Sequence, residues 1–134
     1  MKIEAIEPAG WPRPRGYSDG IAVTGAGRLL FVAGQVAWDE RQRIVGAGDF
    51  AVQFAQALRN VVAVVRAAGG GPEHVVRMTA YVIDKRLYLA RTAEIGAAWS
   101  AIVGKHYPAM ALVQVADLLE EGALVEIEAT AALP

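Results

Sequence analysis

The sequence predicts an α+β fold in which a mixed sheet carries two helices on one face. Three observations lead there. Apolar residues between 51 and 65 recur at helical spacing, several short segments around them follow the period of a strand, and clusters of Gly and Pro separate these runs. With 134 residues the chain has the length of one domain, so 1–134 is read as a single unit around one core.

The elements follow in order. Trp11 to Gly20 reads Trp-Pro-Arg-Pro-Arg-Gly-Tyr-Ser-Asp-Gly, and its proline and glycine content predicts an irregular lead-in loop. Ile21 to Thr24 and Arg28 to Ala33 are apolar runs flanking Gly25-Ala26-Gly27, the pattern of a β-hairpin with a glycine turn. After a polar stretch and the turn at Gly46 to Gly48, Asp49 is placed to cap a helix. Ala51, Phe54, Ala55, Leu58, Val61, Val62 and Val65 form its inner face, and Gly69-Gly70-Gly71-Pro72 stops it. In Val75 to Ile83, Val76, Met78, Ala80 and Val82 alternate with Arg77, Thr79 and Tyr81, which predicts a strand. A second helix is expected from about Tyr88 to Val103, turning Ile95, Ala98, Trp99 and Ile102 inward, with Trp99 as a core residue. Met110 to Val115 and Ala123 to Ala131 read as a closing pair of strands, separated by the acidic loop Asp117 to Gly122.

Composition excludes several function classes. The hydrophobic fraction of 54%, mostly small Ala and Val, predicts extra burial against copies of the same chain. No apolar run is long enough to span a bilayer and the start, Met1 to Ala5, carries no signal segment, so a cytoplasmic protein with no membrane partner is expected. Absence of cysteine removes disulfide and thiolate chemistry. A net charge of −1 argues against nucleic acid as a partner. The triple glycine is not followed by Gly-Lys-Ser/Thr, no Gly-x-Ser-x-Gly occurs, and His74 and His106 lack neighbours at metal-ligand spacing.

In Gly122-Ala-Leu-Val-Glu-Ile-Glu-Ala129, Glu126 and Glu128 alternate with apolar residues and must share one face. Periodicity alone leaves two readings open, a solvent-facing strand near arginines or a proton-handling site. This stretch resembles the Val-Glu-Ile-Glu-Ala segment of the reactive intermediate deaminase family (Rid, or YjgF-like). Gly16-Tyr17-Ser18 is similar to that family's Gly-Pro-Tyr-Ser loop, and Phe31-Val32-Ala33-Gly34-Gln35 to its Val-Ser-Gly-Gln strand. Tyr107-Pro108-Ala109-Met110 through Val113-Gln114-Val115-Ala116 resembles its Pro-Ala-Arg-Ser-Thr-Val-Gln-Val-Ala stretch. In order and spacing these blocks span nearly the whole chain.

The resemblance implies a chorismate-mutase-like subunit, a homotrimer, and three small-molecule clefts between neighbouring subunits. It further implies hydrolysis of enamines and imines of amino-acid origin to 2-oxo acids and ammonia, without metal or cofactor. In the family pattern an arginine after Pro-Ala grips the substrate carboxylate, the tyrosine lines the cleft and the first glutamate of the last strand positions or activates water. Tyr17 and Glu126 match these last two, and Gly34 and Gln35 match the strand near the site. Met110 stands where the arginine would be, and a thioether cannot make the paired charge-assisted hydrogen bonds of a guanidinium. Ala33 replaces the serine before Gly-Gln, Gly96 replaces a helix asparagine, and the usually basic loop is acidic at Asp117, Glu120 and Glu121. Arg15, just before Gly16-Tyr17, is the candidate replacement cation. The expected partners are therefore other copies of the chain and a metabolite without the usual carboxylate. Three activities are weighed: hydrolysis of a labile C–N intermediate, small-molecule binding without turnover, and RNA cleavage, which the lack of a basic stripe disfavours.

Overall fold

The computed structural model describes residues 1–134. Strands β1 (Lys2–Ile6) and β2 (Gly20–Thr24) form an antiparallel ribbon, with Lys2 opposite Thr24 and Ile6 opposite Gly20. Strands β3 (Arg28–Gln35), β4 (Val75–Val82), β5 (Ala109–Gln114) and β6 (Val125–Leu133) form a second sheet in the order β3-β6-β4-β5. There β6 runs antiparallel to both neighbours, whereas β4 and β5 are parallel, which makes the sheet mixed. Helices α1 (Phe50–Ala67), α2 (Lys85–Leu89) and α3 (Thr92–Ile102) complete the chain, with one 3-10 turn at Pro72–His74.

Two pairings differ from the sequence expectation. The runs flanking Gly25-Ala26-Gly27 do not form a hairpin: β2 pairs with β1 and β3 with β6, so this glycine segment carries the chain from one sheet to the other. The last two strands are not neighbours either, because β4 lies between them. Strand pairing is decided by distant segments, which local patterns do not contain. The lead-in from Trp11 is irregular apart from one bridge, Ser18 to Ala109.

Asp49 caps α1 by accepting from the Val52 backbone N–H at 3.1 Å. Ala51, Phe54, Leu58, Val61 and Val65 then bury its inner stripe against Met78, Ala80 and Val82 of β4 and Val125, Ile127 and Ala129 of β6. Gly69, at φ +89°, ends the helix in the left-handed conformation that favours glycine. Fully buried Gln53 has all its polar atoms engaged: Nε2 donates to the carbonyls of Gly46 and Gly122, and Oε1 accepts from the Leu124 N–H at 2.9 Å. It thereby ties α1 to the entry of β6.

The single helix expected from Tyr88 to Val103 is two helices broken at Ala90-Arg91. Asp84 caps the first by accepting from the Arg86 N–H at 2.9 Å. At the break, Arg91 Nη2 lies 3.2 Å from Asp49 and 2.6 Å from Glu94, which joins the starts of α1 and α3. The inward face of α3 is as expected, with Ile95 and Trp99 buried and Ala98 and Ile102 half-buried.

Candidate functional site

The loop carrying Arg15, Gly16 and Tyr17 is fastened over the start of β5. The Ser18 N–H donates to the Pro108 carbonyl at 3.0 Å, and its Oγ–H to the Tyr107 carbonyl at 2.6 Å. Gly16 turns the loop at φ +78°.

Met110 lies opposite Met78 across β4 and β5, and Met78 is 2% exposed in the core, so Met110 points to the helix-bearing face. It lines a cavity of about 300 Å³ together with Arg15, Tyr88, Trp99 and Tyr107. Four of its ten lining residues are aromatic, Phe54, Tyr88, Trp99 and Tyr107. Trp99 stacks on Tyr107 with ring centroids 6.3 Å apart and 6° between planes, and its Nε1–H donates to the His106 carbonyl at 3.1 Å. Gly96 also borders the cavity, and a Cβ there would meet nothing within 4 Å, so the position expected to hold an asparagine is open space. No histidine or carboxylate lines this cavity. Tyr17 lies outside it and borders an adjacent cleft of about 460 Å³, which shares Arg15, Gly16 and Tyr107 with the first.

Glu126 belongs to a different cluster. It lies opposite Tyr81 on β4, three residues from Met78, and an odd separation along a strand places the two on opposite faces. Glu126 therefore points away from the helices and from Met110. The β3–β6 register shifts between Val32 and Gln35, and Gly34 sits in that irregularity against the Glu126 side chain. A Cβ at Gly34 would lie 2.8 Å from Glu126 Cδ and 3.0 Å from its Cγ. Gln35 Nε2 donates to the Ala33 carbonyl at 3.0 Å, and the Ala33 side is exposed. Gly34→Ala is expected to displace the Glu126 side chain, whose atoms are the nearest that the added methyl meets, and to destabilise the fold by no more than about 1 kcal/mol, read as a shift in a denaturant melt. An unshifted melt would mean that the side chain swings aside without cost.

Glu128 shares the Glu126 face, as the alternation predicts, and accepts from the Tyr81 hydroxyl at 2.6 Å. That hydrogen bond, with desolvation second, raises the Tyr81 hydroxyl above its usual pKa. A tyrosine rather than an arginine is thus the partner of this carboxylate. The same sheet face exposes Leu29, Phe31 and Val113, of which Phe31 is 74% exposed.

The structure therefore gathers the site residues into two groups, Arg15, Tyr17 and Met110 in one and Ala33, Gly34, Gln35 and Glu126 in the other. Tyr88, Lys105 and Tyr107 were not singled out from sequence. For Tyr107 a signal exists, since it directly precedes Pro108-Ala109-Met110; Tyr88 and Lys105 have none. No group of three or more His, Cys, Asp or Glu is arranged to hold a metal ion, and no helix is long and apolar enough to cross a membrane.

Comparison with known proteins places these features in context. The family described as Endoribonuclease L-PSP matches residues 11–133. A RutC family protein of Synechocystis is 38% identical, covering 100% of this chain and 99% of its own length. The 2-iminobutanoate/2-iminopropanoate deaminase of Salmonella typhimurium is 34% identical over 78% of this chain and 80% of its own length. Among solved structures, YyfB of Yersinia pestis, a protein of the conserved Rid family described as of unknown function, superposes with a TM-score of 0.86. It is 37% identical, with 99% of this chain and 100% of that one covered.

Proposed function

The chain belongs to the Endoribonuclease L-PSP family, that of the RutC and Rid proteins with their chorismate-mutase-like fold, and from that premise we propose that it hydrolyses an enamine, imine or related labile C–N intermediate. The reaction takes place at clefts between copies of a homotrimer in the cytoplasm. Water adds to the imine carbon as Glu126 positions it, takes one of its protons and returns that proton to the nitrogen; loss of the second proton from the carbinolamine hydroxyl then forms the carbonyl as the C–N bond breaks and ammonia leaves.

One observation carries this reading: the Met110 cavity and Glu126 occupy opposite faces of one sheet. The cavity contains no carboxylate or histidine of its own chain, and in this reading the base is Glu126 of another copy. The exposed apolar residues on the sheet face of Glu126, Leu29, Phe31 and Val113, supply a surface for such a neighbour.

Met110 and the aromatic walls favour a substrate without the usual 2-imino acid carboxylate at that point. Loss of one partner of a charged pair removes ~2–5 kcal/mol of binding, tens- to thousands-fold in affinity. The test is to generate 2-aminoacrylate enzymatically in situ and to follow 2-oxo acid and ammonia. Met110→Arg is expected to process it at least roughly tenfold faster than the wild-type protein. Equal and measurable rates would show that Met110 does not set the substrate class and that another cation, Arg15 foremost, already grips the carboxylate.

The second reading is a trimer that binds a small molecule without turnover, and the lack of a carboxylate or histidine in the Met110 cavity favours it. RNA cleavage, despite the family's description, has no support in a chain of net charge −1.

A further inference from the structure

The cleft beside the Met110 cavity carries two cations, Arg13 and Lys105, to which the hydrolysis assigns no role. The β1–β2 ribbon, the loop of Arg13 and Arg15 and the turn of Lys105 enclose about 460 Å³. Arg13, Arg15 and Lys105 line it, Glu7 is the one carboxylate that does, and Tyr17 and Tyr107 add hydroxyl groups. Salt bridges within the chain engage Lys2, Arg43, His74, Arg86 and Arg91, and none engages those three cations. A chain of net charge −1 thus holds a local excess of two positive charges in a concavity.

The loop that presents the two arginines is also anchored. Ser18 fixes its end to Tyr107 and Pro108, two and three residues beyond Lys105. The basic groups therefore converge from two segments that are bonded to one another, which reduces the ordering needed to bind a ligand.

We propose that this cleft is a binding site for a small doubly charged oxyanion, a dicarboxylate or a phosphate monoester. Two guanidinium groups provide the forked donors that planar or tetrahedral oxyanions accept from, and Lys105 adds a point charge. The excess of two charges over Glu7 matches a dianion. Because Arg15, Gly16 and Tyr107 border both cavities, a ligand anchored here extends its uncharged end toward Met110. That extension rests on the proposed hydrolase reading; the anion site does not.

The test is calorimetric titration of the intact purified protein with succinate and, separately, with inorganic phosphate at low ionic strength. At least one of them is expected to bind, more weakly as salt rises. Arg13→Ala/Lys105→Ala is expected to weaken it roughly tenfold or more, and Arg59→Ala/Arg66→Ala, which removes the same charge elsewhere, is expected to leave it unchanged. Preference for succinate identifies a dicarboxylate site, and preference for phosphate a phosphate-ester site. Absence of binding by both anions, or equal weakening in the two double variants, would overturn the proposal. Neither readout depends on turnover, so a protein that hydrolyses nothing still passes or fails this test.

Discussion

Glu126→Gln is expected to slow hydrolysis by ~10²–10⁴-fold, the range over which a positioned acid or base acts, while the fold and ligand affinity persist. The exchange is nearly isosteric, so the side chain keeps its place against Gly34, but an amide cannot take a proton from water at neutral pH. Release of ammonia from a substrate that the wild-type protein turns over is the measurement. An unaltered rate removes Glu126 from the chemistry and with it the inter-copy site. A wild-type protein that binds but never turns over, with Glu126→Gln binding equally well, establishes the non-catalytic reading instead.

Trp99→Ala is expected to have the largest effect on stability. Trp99 is 7% exposed, packs in the main core cluster, stacks on Tyr107 and donates to the His106 carbonyl. Truncating such a buried aromatic destabilises by ~3–5 kcal/mol, which for a domain of this size lowers the melting temperature by roughly 10–20 °C. The same change removes one wall of the Met110 cavity. Calorimetric melting checks it, and Trp99→Phe should recover much of the loss by refilling the core. A fall of only a degree or two would show that the indole covers the cavity without supporting the core.

Helix α1 was legible because its inner stripe, its Asp49 cap and its glycine stop all lie in one continuous stretch, and each is a local signal. The ribbon β1–β2 was not. Lys2 to Ile6 is short, and nothing in the sequence says that Ile21 to Thr24 turns back to it instead of forward to Arg28. The break at Ala90-Arg91 was equally hidden, since the contact that Arg91 makes there, to Asp49, spans the fold. Of the candidate site, the residue types were visible and their grouping was not. Alternation put Glu126 and Glu128 on one face, but only the registers of β5 and β6 against β4 separate Met110 from Glu126.

The central place of β6 has a consequence for how the chain acquires its shape during synthesis. This strand supplies the partner that β3 requires, Arg28 meeting Leu133 and Val32 meeting Ala129, yet it is made after every other strand. Until residues 125–133 leave the ribosome, β3 has no neighbour in its sheet and β4 is satisfied only on its β5 side. Helix α1 can coil early from local interactions, but its apolar stripe has no complete floor until then. Such delayed, distant pairing slows folding and leaves open strand edges to other nascent chains. Slow synthesis around residues 115–125 would therefore lengthen the aggregation-sensitive interval more than a pause of equal length within α1.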